Sequence, residues 1–488
     1  MALRRLHIQN IDLLIAVVLF ALSFCIKLPL VKENALGFFA DEVRYSMYLT
    51  DEFNTAMIKE DFHIFWQSIF DIHARPAYGV LYTPSLYLTN ITKNDLFGPV
   101  YNLVLNSLCI VLLFFIVKKI FSYKTAFIST GVFLFSMTSL SYVRHMFPYD
   151  GALLFFLFGL CVYVYSNSVF FFGVLMGISF AVYPGNYFYI LPIPFLMLFW
   201  PLESQWKTRL WRSTKFLIGF LFVVSVFEYV SISLGNPMSY IQTAMQLSHT
   251  VTQGDFVPAV KFIVQYIYAN DGFVGIMVFV TGILALRHMY LLRRKNRYYT
   301  IIFFYIVCMY FIMELMSFGT HSMVLYGRTV RILYMFMMLS SAVWLSVKIK
   351  HVVFIEILAL CIIISWIPRY NSYVAVVYPK DVLYYASLLT SSLAPLHVVS
   401  AYKREAGEAG TVDLGSANQF YITNVEFLYP YYGTKAITCG NKIVLLHTLY
   451  PLATYKPYLF EGFSEIERGN FYRDPPYYQL IHCQDESS

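Results

Sequence analysis

The 488-residue sequence predicts an all-α polytopic membrane protein followed by a small C-terminal α+β domain outside the cytoplasm. Three observations carry that prediction. Hydrophobic residues make up 58% of the chain and charged residues only 13%, with a mean hydropathy of +0.60, whereas a soluble protein carries about 25% charge. The apolar residues arrive in long runs rather than in the short periodic stripes that one soluble core requires. The last 120 residues change character, mixing short β-leaning segments with turn formers. Together these exclude a soluble globular enzyme, a disordered chain, a disulfide miniprotein and a nucleic-acid-binding module.

Taken in order, the apolar runs predict about 11 spans, near residues 11–30, 99–117, 125–143, 150–166, 168–183, 186–202, 216–234, 272–290, 299–318, 329–347 and 351–367. The first is expected to stay uncleaved. No A-x-A site follows it, and the lipobox-like Leu-Ser-Phe-Cys ending at Cys25 carries Phe24 where a small residue is needed. Orientation follows from the loops. Arg4, Arg5, Lys118, Lys119, Lys124, Lys207, Arg209, Arg212, Lys215, Arg287, Arg293, Arg294, Lys295, Arg297, Lys348 and Lys350 all fall on one side, sharing it with Glu203 and almost no other acid. The positive-inside rule makes that side cytoplasmic. An odd number of spans then leaves the N-terminus inside and the tail outside.

The charge balance agrees. Residues 1–368 hold 26 Lys+Arg against 17 Asp+Glu, and residues 369–488 hold 9 against 11. The basic excess therefore belongs to the membrane part, where it signals orientation rather than a polyanionic partner. The chain thus divides into a multi-span domain, 1–368, and an extracytoplasmic soluble domain, 369–488, in which runs such as IVLLHTLY and FYITNVEFLY predict strands. Five cysteines lie in apolar runs and behave as small hydrophobes. Cys439 and Cys483 lie in the polar tail and could pair there.

Polar residues concentrate on the outer side. The first outer loop, 31–98, is long and acidic. Phe62, Phe65, Trp66, Ile69 and Phe70 follow helical spacing, predicting a helix at the interface. Within the same loop Asp41 and Glu42 sit between aromatics just beyond the first span. A carboxylate held at that edge is partly desolvated and more basic, which suits proton abstraction from an acceptor hydroxyl; the plain alternative is a solvated acidic loop. The outer cations are few: Arg44, Arg75, Arg144 and Arg328, with Arg331 just inside a span, accompanied by His73, His145 and His321. Singly they are snorkelling anchors. Converging, they form a site for a lipid-linked phosphate, because guanidinium binds phosphate oxygens bidentately and stays charged. Glu228 and Glu314 lie in the outer halves of their spans and either serve function or pair with Arg328 or Arg331. Gly173 and Gly177 form one G-x-x-x-G packing motif. The scattered histidines give no metal-ligand spacing.

Several of these segments share a resemblance. Asp41-Glu42-Val43-Arg44-Tyr45 after a first span resembles the first-loop motif of the GT-C superfamily of membrane glycosyltransferases, in the branch of the lipid A aminoarabinose transferases and protein O-mannosyltransferases. His73-Ala74-Arg75-Pro76 with Tyr78, Tyr82 and Tyr87, the stretch Arg144 to Tyr149, Tyr183-Pro184, His321 and Tyr326-Gly327-Arg328 extend the likeness. The resemblance implies a GT-C-like fold and transfer of a sugar from a polyprenyl-phosphate-linked donor to a lipid, glycan or protein acceptor on the outer face. Asp41 would be the catalytic carboxylate, Glu42 its helper or a structural group, and the arginines the holders of the leaving lipid phosphate. It implies no organic cofactor. Some members use a divalent ion, while arginines alone suit a phosphate leaving group. His-Ala-Arg-Pro stands where relatives carry a Pro-rich stretch, so the acceptor pocket is expected to differ. A bacterial plasma (inner) membrane is the expected location. A transporter or flippase, or a polymerase or ligase of lipid-linked glycans, is the alternative reading. The absence of paired, broken half-repeats weighs against the first, and the early position of the densest polar signal weighs against the second.

Overall fold

A computed structural model describes residues 10–31, 76–92, 96–140, 148–199, 205–235, 240–242, 258–291, 297–321, 325, 327–348 and 352–372, together with five strands of the tail. The helices in chain order are α1 (Asn10–Lys27), α2 (Pro76–Thr92), α3 (Phe97–Ile120), α4 (Tyr123–Phe135), α5 (Met137–Leu140), α6 (Pro148–Ser166), α7 (Val169–Val182), α8 (Tyr187–Ile190), α9 (Pro192–Phe199), α10 (Trp206–Ser233), α11 (Ala259–Leu291), α12 (Arg297–Glu314), α13 (Gly327–Lys348) and α14 (Val352–Ser372).

Among the described residues, seven segments are long and apolar enough to cross a membrane: Ile11–Leu30, Phe97–Ile120, Pro148–Ser166, Trp206–Ser233, Asn270–Leu291, Tyr298–Gly319 and Val330–Lys348. The membrane part of the chain is multi-pass and all-α, and these seven coincide with seven of the expected spans. The other four take different forms. The run 125–143 is divided at Ser136, whose extended backbone separates α4 from α5. The run 168–183 is the 14-residue α7. The run 186–202 is divided at Leu191, whose backbone stays helical while Pro192 lacks the N–H that would continue the ladder. The run 351–367 is the 21-residue α14, which continues through Pro368.

The segment 31–98, expected as one outer loop, is corrected in its last third. Pro76, suited to a first helical position, opens α2, and Tyr78 and Tyr82 of that helix are buried. The apolar pattern was obscured there because the buried side chains are tyrosines rather than aliphatics. Trp66 and the helix expected around it lie outside the described residues.

Of the seven long spans, α3 and α13 are the most enclosed. α7 and α10 meet with almost no side chains between them. A Cβ on Gly173 would stand 2.1 Å from the Phe216 carbonyl oxygen, and one on Gly219 would stand 2.3 Å from that of Phe170. The Gly173/Gly177 motif is therefore a close backbone approach, as such motifs permit. α11 is kinked at Gly272, where φ is +63°, a conformation that favours glycine.

In the tail, strands β1 (Leu396–Val398), β2 (Phe420–Thr423), β3 (Lys442–His447), β4 (Phe463–Asn470) and β5 (Tyr477–Cys483) form one mixed sheet of order β1-β2-β3-β5-β4. β1, β2 and β3 run parallel, while β5 is antiparallel to both β3 and β4. β2 and β3 fall in the two runs singled out from sequence. Cys483 closes β5, and Cys439 lies outside the described residues.

Candidate functional site

α1 and α3 run antiparallel, and charged residues pin both ends of the pair. At one end Asp12 accepts hydrogen bonds from Lys118 and, at 2.5 Å, from the Tyr123 hydroxyl. At the other, Lys27 donates to Ser23 Oγ at 3.0 Å and to Asn106 Oδ1. Asn106 and Lys118 are 12 residues apart on one helix, or about 18 Å. Lys27 therefore lies well away from the Lys118 end, which carries the basic loops.

Around Lys27 the ends of five helices meet in a buried polar cluster. Arg331 of α13 forms an ion pair with Asp150 of α6, Nη2 to Oδ1, at 2.7 Å, and both side chains are buried. Asn106 Nδ2 donates to Asp150 Oδ1 at 2.8 Å, and Asn102 Nδ2 to Oδ2 at 3.1 Å. The Tyr82 hydroxyl of α2 donates to Asn102 Oδ1 at 2.5 Å. The Tyr82 ring stacks on Tyr78 with centroids 4.3 Å apart and meets Tyr101 edge-on at 5.6 Å. Burial first, then the neighbouring Tyr78 and Asp150, hold the Tyr82 hydroxyl well above its ordinary range, so it stays a neutral donor.

Arg331 supplies the cation beside this carboxylate, and Lys27 is joined to it through Asn106, which binds both. A buried charge persists only when it is paired and hydrogen-bonded, and this network meets that condition for Asp150. The cluster lies where three connecting segments join the bundle. α1 leads into the segment that carries Asp41 and Glu42, Asp150 follows Arg144 and His145 by six and five residues, and Arg331 follows Arg328 by three. Six residues span at most about 20 Å.

A second carboxylate, Asp271, sits at the α11 kink. It accepts from the Ser136 hydroxyl at 2.9 Å, the Met137 amide at 2.7 Å and the Thr138 hydroxyl at 2.6 Å, so it holds the break between α4 and α5. Its carbonyl accepts from Trp366 Nε1 at 3.3 Å, and Arg369 Nη1 donates to the Asn270 carbonyl at 3.1 Å. The Tyr370 hydroxyl reaches the Ile26 carbonyl, joining the end of α14 to the end of α1.

Of the residues singled out from sequence, Arg331 is in the buried cluster. Arg328 lies in the first turn of α13. His321 is exposed, with φ at +52°, just past the π-helical turn Leu315–Gly319. Asp41, Glu42, Arg44, His73, Arg75, Arg144 and His145 lie outside the described residues. Arg331 has its ion pair with Asp150. Glu314 accepts from the Ala259 amide at 2.7 Å, and Glu228 from the Ile241 amide at 2.8 Å. Both therefore hold the starts of helical segments. Sequence reasoning missed Lys27, Asp150 and Asp271. The signal was present, since an ionisable residue inside or at the edge of an apolar run is a site or a partner by default.

No family model matches the chain, and no curated protein matches it by sequence. Among solved structures, the chain is similar to the crystal structure of ArnT from Cupriavidus metallidurans bound to undecaprenyl phosphate, at 11% sequence identity and a TM-score of 0.48, over 96% of this chain and 97% of that one.

Proposed function

We propose that the protein is an integral-membrane glycosyltransferase that moves a sugar from a polyprenyl-phosphate-linked donor to an acceptor on the extracytoplasmic face. The observation that carries the proposal is the common root of three outer segments on the Lys27, Asp150 and Arg331 cluster. That root gathers the first loop, with its Asp-Glu-x-Arg-Tyr motif, and the chain segments bearing Arg144, His145 and Arg328. A displacement at an anomeric carbon needs a base on the acceptor side and cations on the leaving phosphate, held in fixed relation. A shared root brings the starts of these segments to one place, which supports that relation without fixing it.

In this scheme the acceptor oxygen attacks the anomeric carbon while the bond from that carbon to the phosphate oxygen breaks. Asp41 takes the acceptor proton and Glu42 assists. Arg44, Arg75, Arg144, Arg328 and Arg331, with His73, His145 and His321, supply the positive and hydrogen-bonding surroundings of the departing polyprenyl phosphate. Residues 1–368 form the catalytic membrane domain and 369–488 an extracytoplasmic domain, in a bacterial inner membrane with the N-terminus in the cytoplasm.

The test is mass spectrometry of surface glycolipids and glycans from a deletion strain complemented with wild type or Asp41→Asn. One sugar increment is expected to vanish in the deletion and to return with wild type. With Asp41→Asn at normal protein levels, transfer should fall at least about 100-fold, the lower range for losing a general base. Full restoration by Asp41→Asn would remove Asp41 from the chemistry. An unchanged glycan profile in the deletion would end the transferase proposal.

A further inference from the structure

The end of the bundle that carries Lys118 and Lys348 holds an apolar cavity of about 120 Å³, open rather than sealed, between α3, α6, α7, α9, α12 and α13. Ile120, Leu160, Met197, Tyr298 and Phe336 are among its walls, and it follows α6 from Phe156 to Val164, about 12 Å along the helix. Tyr305, which also lines it, donates its hydroxyl to the Tyr189 carbonyl at 2.9 Å, so that wall presents carbon. A cavity of this chemistry excludes water and accepts apolar molecules. In a bilayer the molecule at hand is a hydrocarbon chain.

The polar edge of the cavity is Tyr163. Its ring stacks on Phe172 at 5.1 Å, and its hydroxyl accepts from Arg212 Nη2 at 2.6 Å. The same guanidinium reaches Asn167 Oδ1 at 3.4 Å. Asn167 follows the end of α6 at φ +55°, a conformation asparagine tolerates better than most residues. Both partners are neutral. Arg212 is half-buried and, among the described residues, has no carboxylate within ion-pair distance. It lies in the first turns of α10 beside Lys207, Arg209 and Lys215, with Trp206 and Trp211 exposed around it. Exposed Trp flanking a span marks headgroup depth. A guanidinium at that depth, unneutralised and adjoining a hydrocarbon-shaped cavity, matches a phosphodiester joined to an acyl chain.

We propose that this is a binding site for an anionic phospholipid, with the phosphate on Arg212 and one acyl chain in the cavity. The site lies at the opposite end of the bundle from the Asp150 cluster and is independent of the proposed transfer reaction. Four clustered basic side chains favour a net negative headgroup over a zwitterionic one.

Native mass spectrometry of the full chain with added phosphatidylglycerol or phosphatidylcholine tests it. Wild type should retain phosphatidylglycerol preferentially. Arg212→Gln should lower that retention about tenfold, the loss of one charge-assisted contact, and Leu160→Trp should lower it by filling the cavity. Lys348→Gln, a basic residue elsewhere at the same end, should change nothing. With wild type alone, glycerophosphoglycerol, which has no acyl chains, should fail to displace the lipid. Equal retention of the two lipids, an Arg212→Gln no weaker than wild type, a Lys348→Gln loss equal to that of Arg212→Gln, or displacement by the chainless diester would each overturn the site.

Discussion

Asp150 and Asp271 are both buried near the end of the bundle opposite the basic loops, yet they are satisfied in different ways. Asp150 is neutralised by a cation from another helix and bound by two amides of a third. Asp271 is held by two hydroxyls and one backbone amide, all from the break between α4 and α5. The first arrangement couples separate helices, and disturbing it strands charges of both signs. The second is a local cap on a broken helix. Removing its charge leaves only hydrogen-bond donors to be satisfied. The ion pair therefore carries the larger stake, and it also stands where α1, α6 and α13 meet.

Substitutions can break or sharpen that contrast. Arg331→Met leaves Asp150 buried without its ion-pair partner, and should cost about 3–5 kcal/mol in thermal or denaturant unfolding of the purified protein. Adding Asp150→Leu should recover part of that loss, because a buried pair is often replaceable by apolar residues. Recovery should stay incomplete, since the buried Asn102 and Asn106 amides then lose their acceptor. Asp271→Asn should cost about 2 kcal/mol, because the amide nitrogen faces donors it cannot accept from. If it costs as much as Arg331→Met, the distinction between the two carboxylates fails. Tyr82→Phe removes one neutral donor to Asn102 and should cost about 1 kcal/mol in the same assay.

Much of the helical architecture was legible because hydropathy reports burial in lipid directly. Seven expected spans recur as single long helices. The irregular elements were less legible because their causes are tertiary. Ser136 is one of several hydroxyl residues in its apolar run, and the approach of Asp271 marks it as the helix break. α2 hides its buried face behind Tyr78 and Tyr82, which read equally well as interfacial residues. Lys27 and Asp150 sit at the ends of apolar runs, where charges are ordinarily flanking groups. Their partners lie on other helices, and one sequence does not record that pairing. Arg331 was legible as a cation near the outer side, but its carboxylate partner was sought at Glu228 or Glu314 rather than at Asp150.

The short α7 has a consequence for the surrounding lipid. Fourteen residues cover about 21 Å, less than a hydrocarbon layer of about 30 Å, whereas the 28 residues of α10 cover about 42 Å. Because backbone contact at Gly173 and Gly219 locks the two together, the mismatch cannot be relieved by sliding one past the other. At the end of the short helix the turn Pro184–Asn186 is anchored to protein, with Asn186 buried and donating to Ser179 Oγ at 3.3 Å, the kind of shelter irregular backbone needs within a hydrocarbon layer. The α7–α10 pair therefore meets the bilayer as one rigid unit of two unequal lengths, and neither helix can adjust to a change of thickness without the other.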